Sequence, residues 1–174
     1  MGFVNAFLGE NRKALEYYNR SLRLRKAAGD ENNEAITLNN IGLVYDFLGE
    51  KRAALDFYNR ALPLVKTVGD KNSEAKILNN IGKVHTNLGE KQKALDYYNR
   101  ALPLNRAVGD RSSKARTLNN TMYIWGELNN RRLAILYGKQ SVNVLQSLRT
   151  DIKGLDKNLQ RSFLGSVEYN TLYT

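Results

Sequence analysis

Apolar residues recur along the chain at spacings of three and four, which is typical of one face of an α-helix. Two such stripes follow each other, the first formed by Ala35, Leu38, Ile41, Gly42 and Tyr45 and the second by Ala54, Leu55, Tyr58, Ala61 and Leu62. The stripes end at Leu48-Gly49 and Val68-Gly69-Asp70. Because glycine closes helices in the left-handed conformation and aspartate accepts from the first amides of a following helix, the pattern predicts helix, tight turn, helix and loop.

This two-helix pattern repeats with a period of 40 residues. Residues 41–80 and 81–120 are identical at 25 of 40 positions. A fixed period of this length indicates stacked helical hairpins that bury their apolar faces against each other, so the sequence predicts an all-α solenoid. We expect a partial first repeat, two full repeats, a degenerate fourth and a C-terminal capping or linker helix, at 1–31, 32–70, 71–110, 111–150 and 151–174.

Small and large residues alternate between the paired helices. Gly42 and Gly82 lie inside the first helix of their repeats, and Tyr58 and Tyr98 lie in the second. Glycine inside a helix costs about 1 kcal/mol relative to alanine, so its recurrence indicates a packing need. We expect each tyrosine to fill the space that the glycine leaves.

Some positions depart from this regular pattern. Pro63 and Pro103 fall inside the second helix, where proline removes a backbone donor and crowds the preceding turn, so we expect a kink or a break there. In the fourth copy Gly138 replaces the tyrosine, Ser141 replaces an alanine, and Asn129 replaces the turn glycine. Asparagine tolerates the left-handed conformation, so the turn itself should persist.

The order and spacing of Leu38, Gly42, Tyr45, Ala54, Tyr58 and Ala61 resemble the tetratricopeptide repeat (TPR) signature. The longer period and the paired asparagines resemble kinesin light chain repeats. They resemble more closely the TPR arrays that precede a caspase-like CHAT domain in bacteria, especially cyanobacteria. The resemblance covers residues 1–150. It implies a right-handed α–α superhelix of about three and a half repeats plus a C-terminal helix.

In TPR superhelices the first helix of each repeat lines a concave groove. The matching positions here are Asn39, Asn40, Leu43, Phe47, Lys76, Asn79, Asn80, Lys83, Asn87, Arg116, Asn119, Asn120 and Tyr123. A repeated amide can donate to and accept from an extended peptide backbone, as the matching asparagine of kinesin-light-chain-type repeats does. The alternative is that these asparagines bond to neighbouring helices.

Basic residues add a second property to this groove. Lys76, Lys83 and Arg116 would suit carboxylates, with which charge-assisted hydrogen bonds are the stronger kind. The net charge of +10 is also uneven, with an excess of +1, +1, +5 and +3 over 1–40, 41–80, 81–120 and 121–174. This favours an acidic partner surface, although a simply solvated basic face accounts for it too.

Several classes of chemistry find no support in the sequence. The chain has no cysteine, which excludes disulfides and thiolate zinc sites and is compatible with the cytoplasmic location that we expect. No apolar run approaches the length that spans a bilayer. The one histidine, His85, occupies an inter-helix aromatic position, and each glycine stands alone rather than in a phosphate loop. We therefore expect no enzyme, no metal and no cofactor.

These observations favour a protein- or peptide-binding scaffold that presents an asparagine-lined, partly basic groove to an extended, acidic segment. One alternative is the regulatory or sensor half of a larger CHAT-type protein, since the chain begins midway through a repeat and its end resembles the lead into that domain. Nucleic-acid binding rests on charge alone, because basic residues alternate with acids and no aromatic-basic pattern appears. Self-association through the terminal helices is a further alternative.

Overall fold

The computed structural model describes residues 10–153, and these residues form seven α-helices without a strand. The helices are α1 (Asn11–Ala27), α2 (Glu31–Phe47), α3 (Lys51–Thr67), α4 (Lys71–Asn87), α5 (Lys91–Ala107), α6 (Arg111–Glu127) and α7 (Arg131–Lys153). The all-α prediction is confirmed. Phe3 and Phe7, which lie before the described residues, and the helix expected after Lys153 fall outside this part of the chain.

Glycine and aspartate separate the helices as their positions predict. Gly69 has φ +73°, a conformation that side chains disfavour. Asp70 then accepts from the backbone amides of Asn72 and Ser73 at 3.1 and 3.0 Å. The pKa of Asp70 is lowered, mainly by the Ser73 side-chain hydrogen bond. Asn129 takes the glycine role with φ 57°, so the predicted tolerance of asparagine at that turn is confirmed.

The helices divide into two compact units that meet in sequence between Val108 and Gly109. In the N-terminal unit α2 pairs with α3 and α4 pairs with α5, while α1 packs on α2 and α3 packs on α4. Its main core is a cluster of small, aliphatic and aromatic residues from three helices, comprising Ala35, Leu38, Ala54, Tyr58, Ala61, Val65, Ile77, Ile81 and Val84. A second cluster, formed by Ala14, Tyr18, Ile41 and Val44, joins α1 to α2.

The predicted glycine–tyrosine packing is confirmed in both hairpins of this unit. A Cβ atom built on Gly42 would lie 2.6 Å from Tyr58 Cε1, and one on Gly82 would lie 2.6 Å from Tyr98 Cε1. Both rings are almost completely buried. Gly42 and Gly82 thus allow the paired helices to approach closely. This contact determines which side of each helix faces solvent.

In the C-terminal unit α6 pairs with α7. Ser141 Oγ donates to the Ala115 carbonyl at 3.0 Å, and Arg111 Nη1 lies 2.6 Å from Asp151 Oδ2. The side chain of Met122 fills the space beside Gly138, where a Cβ would lie 2.8 Å from the sulfur. These contacts hold one side of α7 against α6 along most of its length.

The expected break at the prolines does not occur. The helices α3 and α5 continue through Pro63 and Pro103 without interruption. Both prolines are exposed, so the pyrrolidine ring lies toward solvent rather than in the core. A proline removes only its own backbone donor, so the other helical hydrogen bonds connect the two halves of the helix across this position.

Candidate peptide-binding site

The first helices of the two repeats in the N-terminal unit are joined through their asparagines. Asn80 Nδ2 on α4 donates to Asn39 Oδ1 on α2 at 2.9 Å. The second asparagine of one pair therefore reaches the first asparagine of the preceding pair. Of the two roles that the sequence leaves open for these residues, bonding to a neighbouring helix is realised for Asn39 and Asn80.

This bond leaves hydrogen-bonding capacity on both side chains. An asparagine amide carries two N–H donors and one oxygen with two lone pairs. The bond uses one donor of Asn80 and one lone pair of Asn39, and both residues remain partly exposed. The pair can therefore hold the two helices together and still offer donor and acceptor groups to a ligand.

A surface of mixed chemistry surrounds this amide pair. We call it the α2/α4 face, and it comprises Ile36, Asn39, Asn40, Leu43 and Phe47 from α2 with Lys76, Asn80, Lys83 and Asn87 from α4. Phe47 is 68 % exposed, an unusual state for a phenylalanine, and Leu43 is partly exposed. The α2 side of the face thus combines apolar side chains with asparagines, whereas the α4 side carries two lysines.

The acidic residue beside the α2/α4 face is neutralised locally. Asp46 Oδ1 lies 2.5 Å from Lys51 Nζ, which also donates to the Asp46 backbone oxygen at 2.8 Å. The carboxylate is mostly buried in this pair. Because Asp46 is already compensated by Lys51, it adds no net negative charge beside the lysines of α4. The sequence did not reveal this pair, since Asp46 and Lys51 belong to different helices.

The other predicted groove residues are placed differently. Asn79 is only 4 % exposed, so its side chain lies too deep to contact a segment on the α2/α4 face. Arg116, Asn119, Asn120 and Tyr123 all lie on α6 in the C-terminal unit. There Tyr123 is 55 % exposed and Asn119 is exposed, while Arg116 and Asn120 are partly exposed.

His85 serves packing, as its position predicts. It is 8 % exposed and stacks on Tyr97 with ring centroids 5.3 Å apart, and Tyr45 and Phe57 form the equivalent stack of the preceding repeat at the same distance. His85 Nδ1 lies 2.5 Å from Glu90 Oε2. Hydrogen bonds from His85 and then Lys93 lower the pKa of Glu90. The histidine is thus held between an aromatic ring and a carboxylate.

Two structural features are absent between residues 10 and 153. Between residues 10 and 153, no group of three or more histidine, aspartate or glutamate side chains could hold a metal ion. None of the seven helices is both long and apolar enough to cross a membrane.

Comparison with protein families gives two matches, both to models described as tetratricopeptide repeat. One model matches residues 1–67 and the other matches residues 75–107. A sequence search of curated proteins gives no match. The resemblance read from the repeat signature is therefore confirmed at the level of the repeat family.

Solved structures share the fold at low sequence identity. BtubC (BKLC) from P. vanneervenii is 18 % identical with a TM-score of 0.77, and the match covers 85 % of this chain and 61 % of that one. The apo form of RapI is 18 % identical with a TM-score of 0.80, covering 88 % and 56 %. Aspartyl phosphate phosphatase F from Bacillus subtilis is 14 % identical with a TM-score of 0.83, covering 99 % and 49 %. The chain thus spans between about half and three fifths of these proteins.

Proposed function

The chain belongs to the tetratricopeptide-repeat family, and from this premise we propose that it binds an extended, acidic protein segment on the α2/α4 face. Repeats of this kind generally act as non-catalytic protein-interaction scaffolds. The observation that carries the proposal is the Asn39–Asn80 amide pair, which joins the helix that exposes Phe47 to the helix that carries Lys76 and Lys83.

The amide pair supports recognition of a peptide backbone. An extended segment presents alternating N–H and C=O groups, and the remaining donors and acceptors of Asn39 and Asn80 match both. Because these two residues already fix each other, less side-chain freedom is lost when a ligand binds than with two independent side chains. We therefore assign the sequence-independent part of binding to this pair.

The side chains around the pair supply the specificity. Neighbouring packed helices lie about 8–10 Å apart, and an extended chain advances about 3.3 Å per residue. A ligand that crosses from Leu43 on α2 to Lys83, the equivalent position on α4, therefore does so in about three residues. We infer a segment with a bulky apolar residue about three positions from a carboxylate.

The test is binding of labelled acidic peptides, measured by fluorescence anisotropy. Asn80→Ala should weaken binding about fivefold, since a neutral hydrogen bond contributes about 1 kcal/mol. Lys83→Ala should weaken binding by a similar factor, with an effect that shrinks as salt is added. The matched control is Lys93→Ala, which makes the same charge change on α5. The proposal fails if neither Asn80→Ala nor Lys83→Ala weakens binding more than Lys93→Ala does.

A second set of peptides tests the α2/α4 face as the binding site separately from the inferred spacing of side chains in the ligand. One peptide carries phenylalanine three residues from a pair of glutamates, and another has the same composition with these groups adjacent. If both peptides bind with equal affinity and Asn80→Ala weakens both equally, the α2/α4 face is supported as the binding site. The inferred three-residue spacing is then wrong. If the protein binds the spaced peptide more tightly and this preference disappears in Phe47→Ser, both the binding face and the spacing are supported.

A further inference from the structure

The last described helix carries an apolar stripe that is open to solvent. Ile135, Val142 and Leu145 are 53, 51 and 50 % exposed. Their spacing of seven and three residues places them on one side of α7. Gly138 and Ser141, which contact α6, lie beside this stripe around the helix, within about 120° of it. We call Ile135, Val142 and Leu145 the α7 stripe, and its direction is set by these neighbouring contacts with α6.

The equivalent residues of an earlier repeat show how such a stripe packs. Two periods earlier, the same positions are Leu55, Leu62 and Val65 on α3. These three residues pack in the core cluster that includes Ile77, Ile81 and Val84 of α4, and Val65 is completely buried. On α3 the stripe thus receives the first helix of the following repeat. On α7 the same surface is formed and no described helix of the C-terminal unit covers it.

We propose that residues 154–174 of this chain cover the α7 stripe. This segment has 21 residues, against 17 in each of the helices α1 to α6. Leu155, Leu159, Phe163 and Val167 recur in it at intervals of four, a spacing that suits one face of a helix. The segment begins with Gly154, and glycine is the residue that most readily adopts the conformation that ends a helix.

Charge favours this segment over a second copy of the protein as the partner of the α7 stripe. Between Arg131 and Lys153 the α7 sequence has five basic residues and one acidic residue, Asp151, which is paired with Arg111. Two copies that meet through this helix would bring like charges together. Residues 154–174 carry two basic and two acidic residues, Lys157 and Arg161 with Asp156 and Glu168. The segment therefore provides apolar surface without adding net positive charge.

The absence of native cysteines allows a direct test by disulfide crosslinking. In the full chain, Leu145→Cys is combined with Leu159→Cys or with Phe163→Cys, and oxidation is followed by mass and by gel mobility. The control pairs combine Asn143→Cys with the same two changes, because Asn143 is exposed on a different side of α7. We expect at least one Leu145→Cys pair to form an intramolecular disulfide several-fold faster than its control.

Other crosslinking outcomes overturn the proposal. Equal intramolecular rates for the two α7 positions would mean that the segment has no fixed place on the helix. A disulfide-linked dimer as the main product at low protein concentration would assign the stripe to a second copy.

A second measurement guards against loss of folding in the cysteine variants. Removing residues 154–174 should increase binding of a dye for exposed apolar surface. Leu145→Asp should lower the thermal midpoint of the full chain while leaving that of the shortened chain nearly unchanged. Equal loss in both chains would show that Leu145 acts within the described unit alone, and the proposal would then fail.

Discussion

Replacing Gly82 with alanine tests how closely α4 must approach α5. The added Cβ would lie 2.6 Å from Tyr98 Cε1 and 2.8 Å from its Cδ1, which is closer than carbon atoms can pack. The tyrosine cannot simply move away, because its ring is 1 % exposed and its hydroxyl lies 3.2 Å from Thr86 Oγ1. Either the helices separate or the ring leaves its preferred position, and both lower the stability of the hairpin.

The size of the effect follows from two opposing contributions. Overpacking a well-filled core costs about 1–3 kcal/mol. Alanine is better than glycine inside a helix by about 1 kcal/mol, which offsets part of this cost. We therefore expect Gly82→Ala to lower the free energy of unfolding by about 0–2 kcal/mol. Gly126→Ala is the control, because a Cβ on Gly126 of α6 meets no atom within 4 Å. That variant should gain up to about 1 kcal/mol.

The measurement is urea unfolding followed by circular dichroism, with hydrogen exchange to locate the change. Gly82→Ala should accelerate exchange in α4 and α5. In a Tyr98→Leu background the clash is absent, so the same glycine change should become neutral or stabilising, which a double-mutant cycle reports as coupling. If Gly82→Ala is as stable as Gly126→Ala in the native background, the packing argument is wrong.

Three other changes address capping, pH and backbone conformation. Asp70→Ala should cost about 1 kcal/mol at neutral pH in urea unfolding. Because the pKa of Asp70 is lowered, its stabilising contribution is present above the ordinary aspartate pKa, and the gap between the two proteins should close as pH falls through the lowered pKa. Glu90 also has a lowered pKa, so Glu90→Gln should flatten the acid side of the stability profile. At φ 57°, Asn129→Ala should cost about 1 kcal/mol and Asn129→Gly should be neutral or better in thermal unfolding.

The helical hairpins were predictable because their signals are local. A glycine such as Gly69 and an aspartate such as Asp70 determine a turn through their own backbone and side chain, and the structure has the helix boundary there. The Gly82–Tyr98 contact was predictable for a related reason. The period brings the same two residue types together twice, and close-packed interiors require that a missing side chain be matched by a large one opposite it.

The predictions that were wrong or left alternatives open depend on how each helix is rotated about its own axis. Proline lacks a donor and crowds the preceding turn wherever it lies, and the sequence pattern did not show that Pro63 would stand on the exposed side of α3. Two consecutive asparagines differ by about 100° around a helix, so one can be buried while the next is accessible. That is the case for Asn79 and Asn80. The inter-repeat bond to Asn39 follows from this rotation and could not be read from spacing alone.

The last hairpin indicates that the repeat constrains pairs of positions rather than single ones. Met122 stands where earlier copies have glycine, and Gly138 stands where they have tyrosine. Taken singly, each change looks like loss of the repeat pattern. In the structure the methionine sulfur fills the space at Gly138, so the large and the missing side chain have exchanged helices. The close approach of α6 and α7 is thereby kept, and the α7 stripe retains the orientation that its equivalent has on α3. The exchange preserves this surface, which is expected if another helix covers it. It is not expected if the repeat pattern is simply lost at the end of the array.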